Sequence, residues 1–245
     1  MVDFGNLDFS ILWEYRGVLF WGLLTTLGLG VTGFAIAIPG GTLLALGRIF
    51  GGWWVRVPVM AFVDVMRFTP LLVQAVWLHF ALPALTGHSM NAVTSGLIAL
   101  SLHISAYVSE IMRAGIQAVP KGQWEAARAL GLRPGSVFRK VVLPQVWRIV
   151  LPPLANTAVA AFKLTAILGI LAINDLMKVA SRVNTFEFRP LEIFTGVATL
   201  YVLIGLMLSW GARRVERRYG EGRARAATIA APTLSPLAAG GTHGA

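Results

Sequence analysis

Apolar positions along the chain gather into five long runs separated by short polar or charged stretches. Runs of this length predict an all-α, polytopic membrane protein with five transmembrane helices. Residues 17–47 carry no charge. About 20 apolar residues cross a bilayer, so one span fits there with a margin, and Pro39-Gly40-Gly41 is expected to kink its later part. A second run covers 58–83, with Asp64, Arg67 and Pro70 in its first half. A third covers about 92–112, with Glu110 and Arg113 near its end. A fourth covers 149–173; it opens with Pro152-Pro153, which a first helical turn accepts, and holds Lys163 near its middle. A fifth covers 193–212 and is followed at once by Arg213, Arg214, Arg217 and Arg218. Between the runs lie a loop at 48–57, an uncharged connection at 84–92 and a segment of mixed charge at 174–192. The chain thus divides into an N-terminal segment (1–16), a transmembrane domain (17–218) and a tail (219–245). That tail is rich in Ala, Gly, Thr and Pro and is expected to be disordered.

One polar island interrupts this pattern between the third and fourth runs, EAARALGLRPGSVFRKVVLP at 125–144. Residues 122–130 are good helix formers. Gly131 suits the left-handed residue of a helix stop, with Leu132 folding back on the last turn. Pro134 and Gly135 forbid a simple continuation. A second short helix is expected over 136–143, ended by Pro144. A helix–turn–helix this small and basic has nothing to do in lipid; its use is to be gripped by another protein.

The island resembles the cytoplasmic EAA loop of binding-protein-dependent ABC importer permeases. Glu125-Ala126-Ala127, Gly131, Val141, Leu143 and Pro144 stand at that family's offsets. Residues 67–74, RFTPLLVQ, look like the family's RGTPLLVQ with Phe68 in place of Gly; 106–113, AYVSEIMR, look like AYxxExxR; 188–192 read FRPLE. These are marks of the polar amino-acid uptake family, and the resemblance covers roughly 17–218. It implies a permease that pairs with itself or a homologue, with two ATPase subunits and with an extracytoplasmic substrate-binding protein. It also implies that the loop, at 120–148, is where the ATPase docks. In that reading Glu125 and the small Ala126, Ala127 and Ala129 lie in a groove of the ATPase, Glu125 accepts a charge-assisted hydrogen bond, and closing of the ATPases rocks the spans between inward- and outward-facing states.

Composition and charge agree with a membrane chain. Of 245 residues 56% are hydrophobic and 13% charged, against about 25% charged in a soluble domain. There is no cysteine, which excludes disulfides and thiolate chemistry. A net charge of +10 could suggest nucleic acid, but the bases stand at the ends of apolar runs, where they orient spans against membrane lipid; no nucleic-acid partner is expected. Segments 1–16, 84–92 and 174–192 carry no excess of bases, whereas 48–57, 114–148 and 213–225 all do. The positive-inside rule makes the second set cytoplasmic. The N-terminus is then outside, the C-terminus inside, and the island cytoplasmic. Residues 1–16 also lack the basic opening and small-residue cleavage site of a signal peptide.

No G-x-x-x-x-G-K-[ST] loop, H-E-x-x-H or G-x-S-x-G occurs, so no catalytic residue is assigned. The chain is expected to bind no cofactor itself, ATP and Mg belonging to the ATPase. Asp64–Arg67 and Glu110–Arg113 are each three apart and close to the cytoplasmic side, and they either pair locally or link to the island or gate the inner mouth. Lys163 has no acid within four positions and lies about 20 Å into its span. Related permeases often read Lys-Asp-Thr-Ser where this chain reads Lys163-Leu164-Thr165-Ala166. Lys163 either pairs with a distant helix or lines the substrate path, with Asn156 and Thr157 as weaker path candidates. His79 and His103 stand alone and read as packing histidines rather than metal ligands. Trp13, Trp21, Trp53 and Trp54 fall where interfacial anchors fall. The rival reading, an ATP-independent secondary carrier or channel, is weakened by the absence of a detectable inverted repeat.

Overall fold

The computed structural model describes residues 7–230, with side chains described for 7–218. Every regular element among the described residues is a helix, with no strand. In chain order the helices are α1 (Ser10–Glu14), α2 (Arg16–Phe50), α3 (Trp53–Phe68), α4 (Leu71–Val76), α5 (Leu82–Thr86), α6 (Ala92–Gln117), α7 (Lys121–Ala129), α8 (Pro134–Val137), α9 (Leu143–Leu164), α10 (Leu176–Glu187) and α11 (Pro190–Ala230). Four stretches are long and apolar enough to cross a membrane: Arg16–Phe50, Ala92–Gln117, Pro134–Leu171 and Pro190–Arg218. A fifth crossing is made if α3 and the stretch Leu71–Thr86 count together, and these are bent by 108°.

That bend corrects the single run expected over 58–83. Thr69, preceding Pro70, is extended at φ −96° and ψ 132°, as the proline ring requires of its predecessor. The carbonyls so released are satisfied locally. Gln74 Nε2 donates to Met66 O at 2.8 Å and to Thr69 O at 3.0 Å, and Gln74 Oε1 lies 3.2 Å from His103 Nδ1 on α6. Irregular backbone at membrane depth survives only where protein groups take up its hydrogen bonds. Gln74 does this and anchors the elbow to α6.

Two further expectations about proline change. Pro144 does not end a helix; it stands in the first turn of α9. A π turn at Phe138–Val142 precedes it, and another at Trp77–Ala81 precedes Pro83. In both places the wider turn absorbs the register change at a residue that has no N–H to give. Because α9 starts at Leu143, Pro152 and Pro153 lie inside it rather than in its opening turn. α2 continues unbroken through Pro39 to Phe50, so the loop expected over 48–57 shrinks to Gly51-Gly52 before α3. The mixed segment 174–192 holds a helix, α10, and α11 continues to Ala230. Residues 219–230 of the expected tail lie on α11, and residues 231–245 and 1–6 lie outside the described residues.

α2 is the central post, packed along α6 and flanked by α9, α10 and α3. Its packing face is a ladder of small residues: Gly22, Thr26, Gly30, Gly33, Ala37, Gly41 and Ala45 are all buried. In lipid the hydrophobic effect does not drive helices together, so close backbone approach through small residues must do it. A side chain at Gly41 would meet Ser105 O and Val108 Cβ at 2.6 Å. One core forms around α6 and α9, where Leu100, Ile104, Met112, Val146 and Val150 are fully buried. A second joins α1, the start of α2, α10 and the start of α11 through Ile11, Leu176, Ile193 and Val197.

Candidate functional site

α7, α8 and the π turn after them form the hairpin expected from the polar island. α7 ends as the residues dictate: Gly131 is left-handed at φ 76°, its N–H bonds Arg128 O at 2.9 Å, and Leu132 N–H reaches Ala127 O at 3.3 Å. That pair of bonds is a Schellman stop, closed by packing of Leu132 on the core that contains Ala127. Arg133 is extended before Pro134, which opens α8. Glu125, Ala126 and Ala129 are exposed, whereas Ala127 is buried. Ala127, expected on the docking face with its neighbours, instead packs inward and holds the helix down. Leu143 is half-buried and Pro144 exposed.

An aromatic chain ties this hairpin to the bundle. Trp124 on α7 and Phe138 in the π turn have ring centroids 6.4 Å apart, and Phe138 meets Phe50, the last residue of α2, edge-on at 5.6 Å. Three rings thus connect α7 to the last residue of the central post. Sequence reasoning missed these residues; Trp124 next to Glu125, in an otherwise polar helix, was the available signal.

Just above the hairpin, one carboxylate gathers arginines from three helices. Glu110 on α6 is bonded by Arg48 of α2 and by Arg113 at 2.8 Å and 3.0 Å, and Arg67 of α3 stands 3.7 Å away. The Glu110–Arg113 pair is as expected. The Asp64–Arg67 pair is not formed: Arg67 turns to Glu110 and lies 5.8 Å from the centre of the Tyr107 ring, and Asp64 has no ion pair among the described residues. Arg48 was missed because it falls 62 positions from Glu110, beyond any local spacing rule. The cluster is about one-fifth exposed at Glu110 and Arg48, where removing one partner of an ion pair costs much more than at an open surface.

Lys163 stands on α9 with its side chain exposed, and among the described residues it makes no ion pair or hydrogen bond. Asn156 and Ala160 are exposed at helical spacing below it, so the three share a stripe. Thr157 is half-buried, and its hydroxyl donates to Pro153 O at 2.8 Å. His79 Nδ1 lies 3.0 Å from Ser95 Oγ and His103 is engaged with Gln74; each is a packing histidine with a partner.

At the opposite end of α2, Asp175 caps α10 by accepting from Lys178 N–H at 2.9 Å, and Leu176 N–H donates to Thr26 Oγ1 at 3.0 Å. Burial pushes the Asp175 carboxyl above the usual range, and its Oδ2 has no partner. The Tyr15 hydroxyl donates to Glu187, and that bond raises the phenol above its ordinary value.

A helical membrane bundle that offers a rigid, stapled hairpin and is braced at its base by an ion cluster is built to be worked from outside itself: a permease component of a multi-subunit transporter. Residues 37–221 match the binding-protein-dependent transport system inner membrane component. The chain belongs to that family, whose subunits are non-catalytic, multi-pass inner-membrane components working with an ATPase and a binding protein. It is similar to the glutamine transport system permease protein GlnP of Escherichia coli (strain K12), 34% identical over 212 residues that cover 86% of this chain and 97% of that protein. It is similar also to the histidine/lysine/arginine/ornithine transport system permease protein HisM of Salmonella typhimurium (strain LT2), 34% identical over 219 residues, 86% and 93% of the two chains. Among solved structures it resembles an amino acid ABC transporter with histidines, at TM-score 0.82 and 33% identity over 87% of this chain and 99% of that one. The MetNI methionine ABC transporter in an inward-facing conformation shares the fold at TM-score 0.67 and 21% identity, covering 87% and 99%.

Proposed function

We propose that this permease subunit passes a polar amino acid across the inner membrane, driven by ATPase subunits that grip α7. The observation that carries the coupling is the two-sidedness of that helix: Glu125, Ala126 and Ala129 face outward, while Trp124 and Ala127 are held by the core. Small outward side chains permit close approach of a partner backbone, and Glu125 offers it a charge-assisted acceptor. ATP and Mg belong to that partner, since the chain has no phosphate-binding loop. The distribution of bases supports an outer N-terminus and an inner C-terminus, with the hairpin on the ATPase side. A second copy or a homologous permease completes the pathway, and an extracytoplasmic binding protein delivers the solute. The amino-acid class is supported by the transport names of the similar GlnP and HisM proteins. Lys163, with Asn156 below it, is the candidate for meeting a solute carboxylate.

Two experiments test this. The chain has no native cysteine, so single cysteines at residues 8 and 125 report sidedness directly: a membrane-impermeant maleimide on right-side-out vesicles labels the first and spares the second. For coupling, the permease is reconstituted with its ATPase and binding protein and uptake of labelled amino acids is followed. E125A lowers ATP-driven uptake while the assembled bundle remains intact. Uptake that continues at full rate without the ATPase overturns the proposal in favour of a secondary carrier.

A further inference from the structure

We infer that the corner between α2 and α3 is a binding site for an anionic phospholipid, held through its phosphodiester. A cavity of about 220 Å³ opens there, lined by Arg48, Ile49, Arg56, Met60, Arg113 and Gln117. That is ample room for a phosphate with part of its glycerol. Three of the six lining side chains are guanidinium groups from three different helices.

The local charge is not balanced by the protein. Four arginines (48, 56, 67 and 113) face two acids in this neighbourhood, Glu110 and Asp64, and Glu110 is not among the lining residues. Arg56 makes no ion pair among the described residues. Arg48 spends only one of its nitrogens on Glu110, leaving donors of its planar fork for a second oxyanion. Glu110 therefore positions two of the three guanidinium groups without neutralising the set.

The surroundings select a lipid over a soluble phosphate. Ile49 and Met60 give the cavity an apolar wall. The first turns of α3 beside it are exposed and apolar, with Trp53, Trp54, Val55 and Val57 outward and the two indoles edge-to-face at 4.6 Å. Indoles of this kind lie at headgroup level, and an acyl chain would run along the exposed face of α3. The site abuts Gln117 at the end of α6, three residues before the hairpin opens at Pro120. A bound lipid would brace the root of the coupling helix whatever solute the permease passes.

The test uses the complete transporter with its ATPase in place. It is purified from vesicles of phosphatidylcholine alone or mixed with phosphatidylglycerol, and retained lipids are counted by native mass spectrometry. Phosphatidylglycerol is kept in preference to phosphatidylcholine; R56Q weakens that retention about fivefold, as expected for one basic residue at a membrane surface. R56K restores it, and R217Q, at an exposed arginine that does not line the cavity, leaves it unchanged. Equal retention of the two lipids, or an unaltered R56Q, overturns the inference. So does displacement of the lipid by inorganic phosphate, which would make the cavity a site for a soluble anion.

Discussion

Replacing Gly41 by alanine adds one methyl group where α2 and α6 touch, and the structure sets the size of the effect. The new Cβ would stand 2.6 Å from Ser105 O and from Val108 Cβ, and 2.7 Å from Val108 Cγ1. Ordinary carbon contacts are about 3.5–4.0 Å, so the helices must part by roughly 1 Å or distort. Overpacking of this kind costs about 1–3 kcal/mol. Alanine returns about 1 kcal/mol of helix propensity, which obscures the result if G41A is studied alone. Gly28 supplies the control: it is on the same helix, it is exposed, and a Cβ there meets nothing within 4 Å. Subtracting G28A from G41A cancels the propensity and leaves the packing cost. At about 2–4 °C per kcal/mol for a chain of this size, G41A melts several degrees below G28A. The assay is thermal unfolding in detergent followed by tryptophan emission, for which the chain carries eight indoles. If G41A melts with or above G28A, the small-residue ladder does not hold α2 to α6.

Three further outcomes follow from the sites. E110Q leaves Arg48 and Arg113 without their shared carboxylate; discounted for partial exposure, the loss is about 2 kcal/mol, and a double-mutant cycle with R48Q recovers a coupling of about 1 kcal/mol or more, zero coupling being the contrary result. At Asp175 the folded carboxyl titrates above its unfolded value, so its share of stability is fully present below the ordinary aspartate range and falls as pH rises through the raised value. D175N keeps the cap acceptor and removes the buried charge, so it melts no lower than wild type near neutral pH and loses that pH slope, while D175A forfeits the cap at about 1 kcal/mol. K163M abolishes most ATP-driven uptake without reducing co-purification of the ATPase; normal uptake by this variant removes Lys163 from the path.

Much of this was legible from residue order, because lipid permits so few arrangements of backbone. The spans, the hairpin and its stop at Gly131 all come from local rules: run length, helix propensity and the one residue type at ease with a positive φ. What escaped depends on distance along the chain or on reading one residue type two ways. Arg48 and Glu110 meet only after folding. Pro39-Gly40-Gly41 reads as a hinge, yet Gly41 serves as a contact. Pro70 breaks its span, whereas Pro144 rides through on a π turn, and nothing at the prolines themselves separates the two cases. The separating residue for Pro70 is Gln74, whose amide makes a sharp elbow tolerable. Ala127 could not be placed inward from the loop alone, since its burial is decided by Trp124, Leu132 and the core they reach.

The elbow at Thr69–Pro70 also makes this crossing depend on its neighbour. α3 has 16 residues, about 24 Å of helix, short of the roughly 30 Å that hydrocarbon demands. Neither arm alone is long enough to cross. The crossing is whole only when both arms and the elbow between them are in place, and Gln74 gains its His103 partner only when α6 packs alongside.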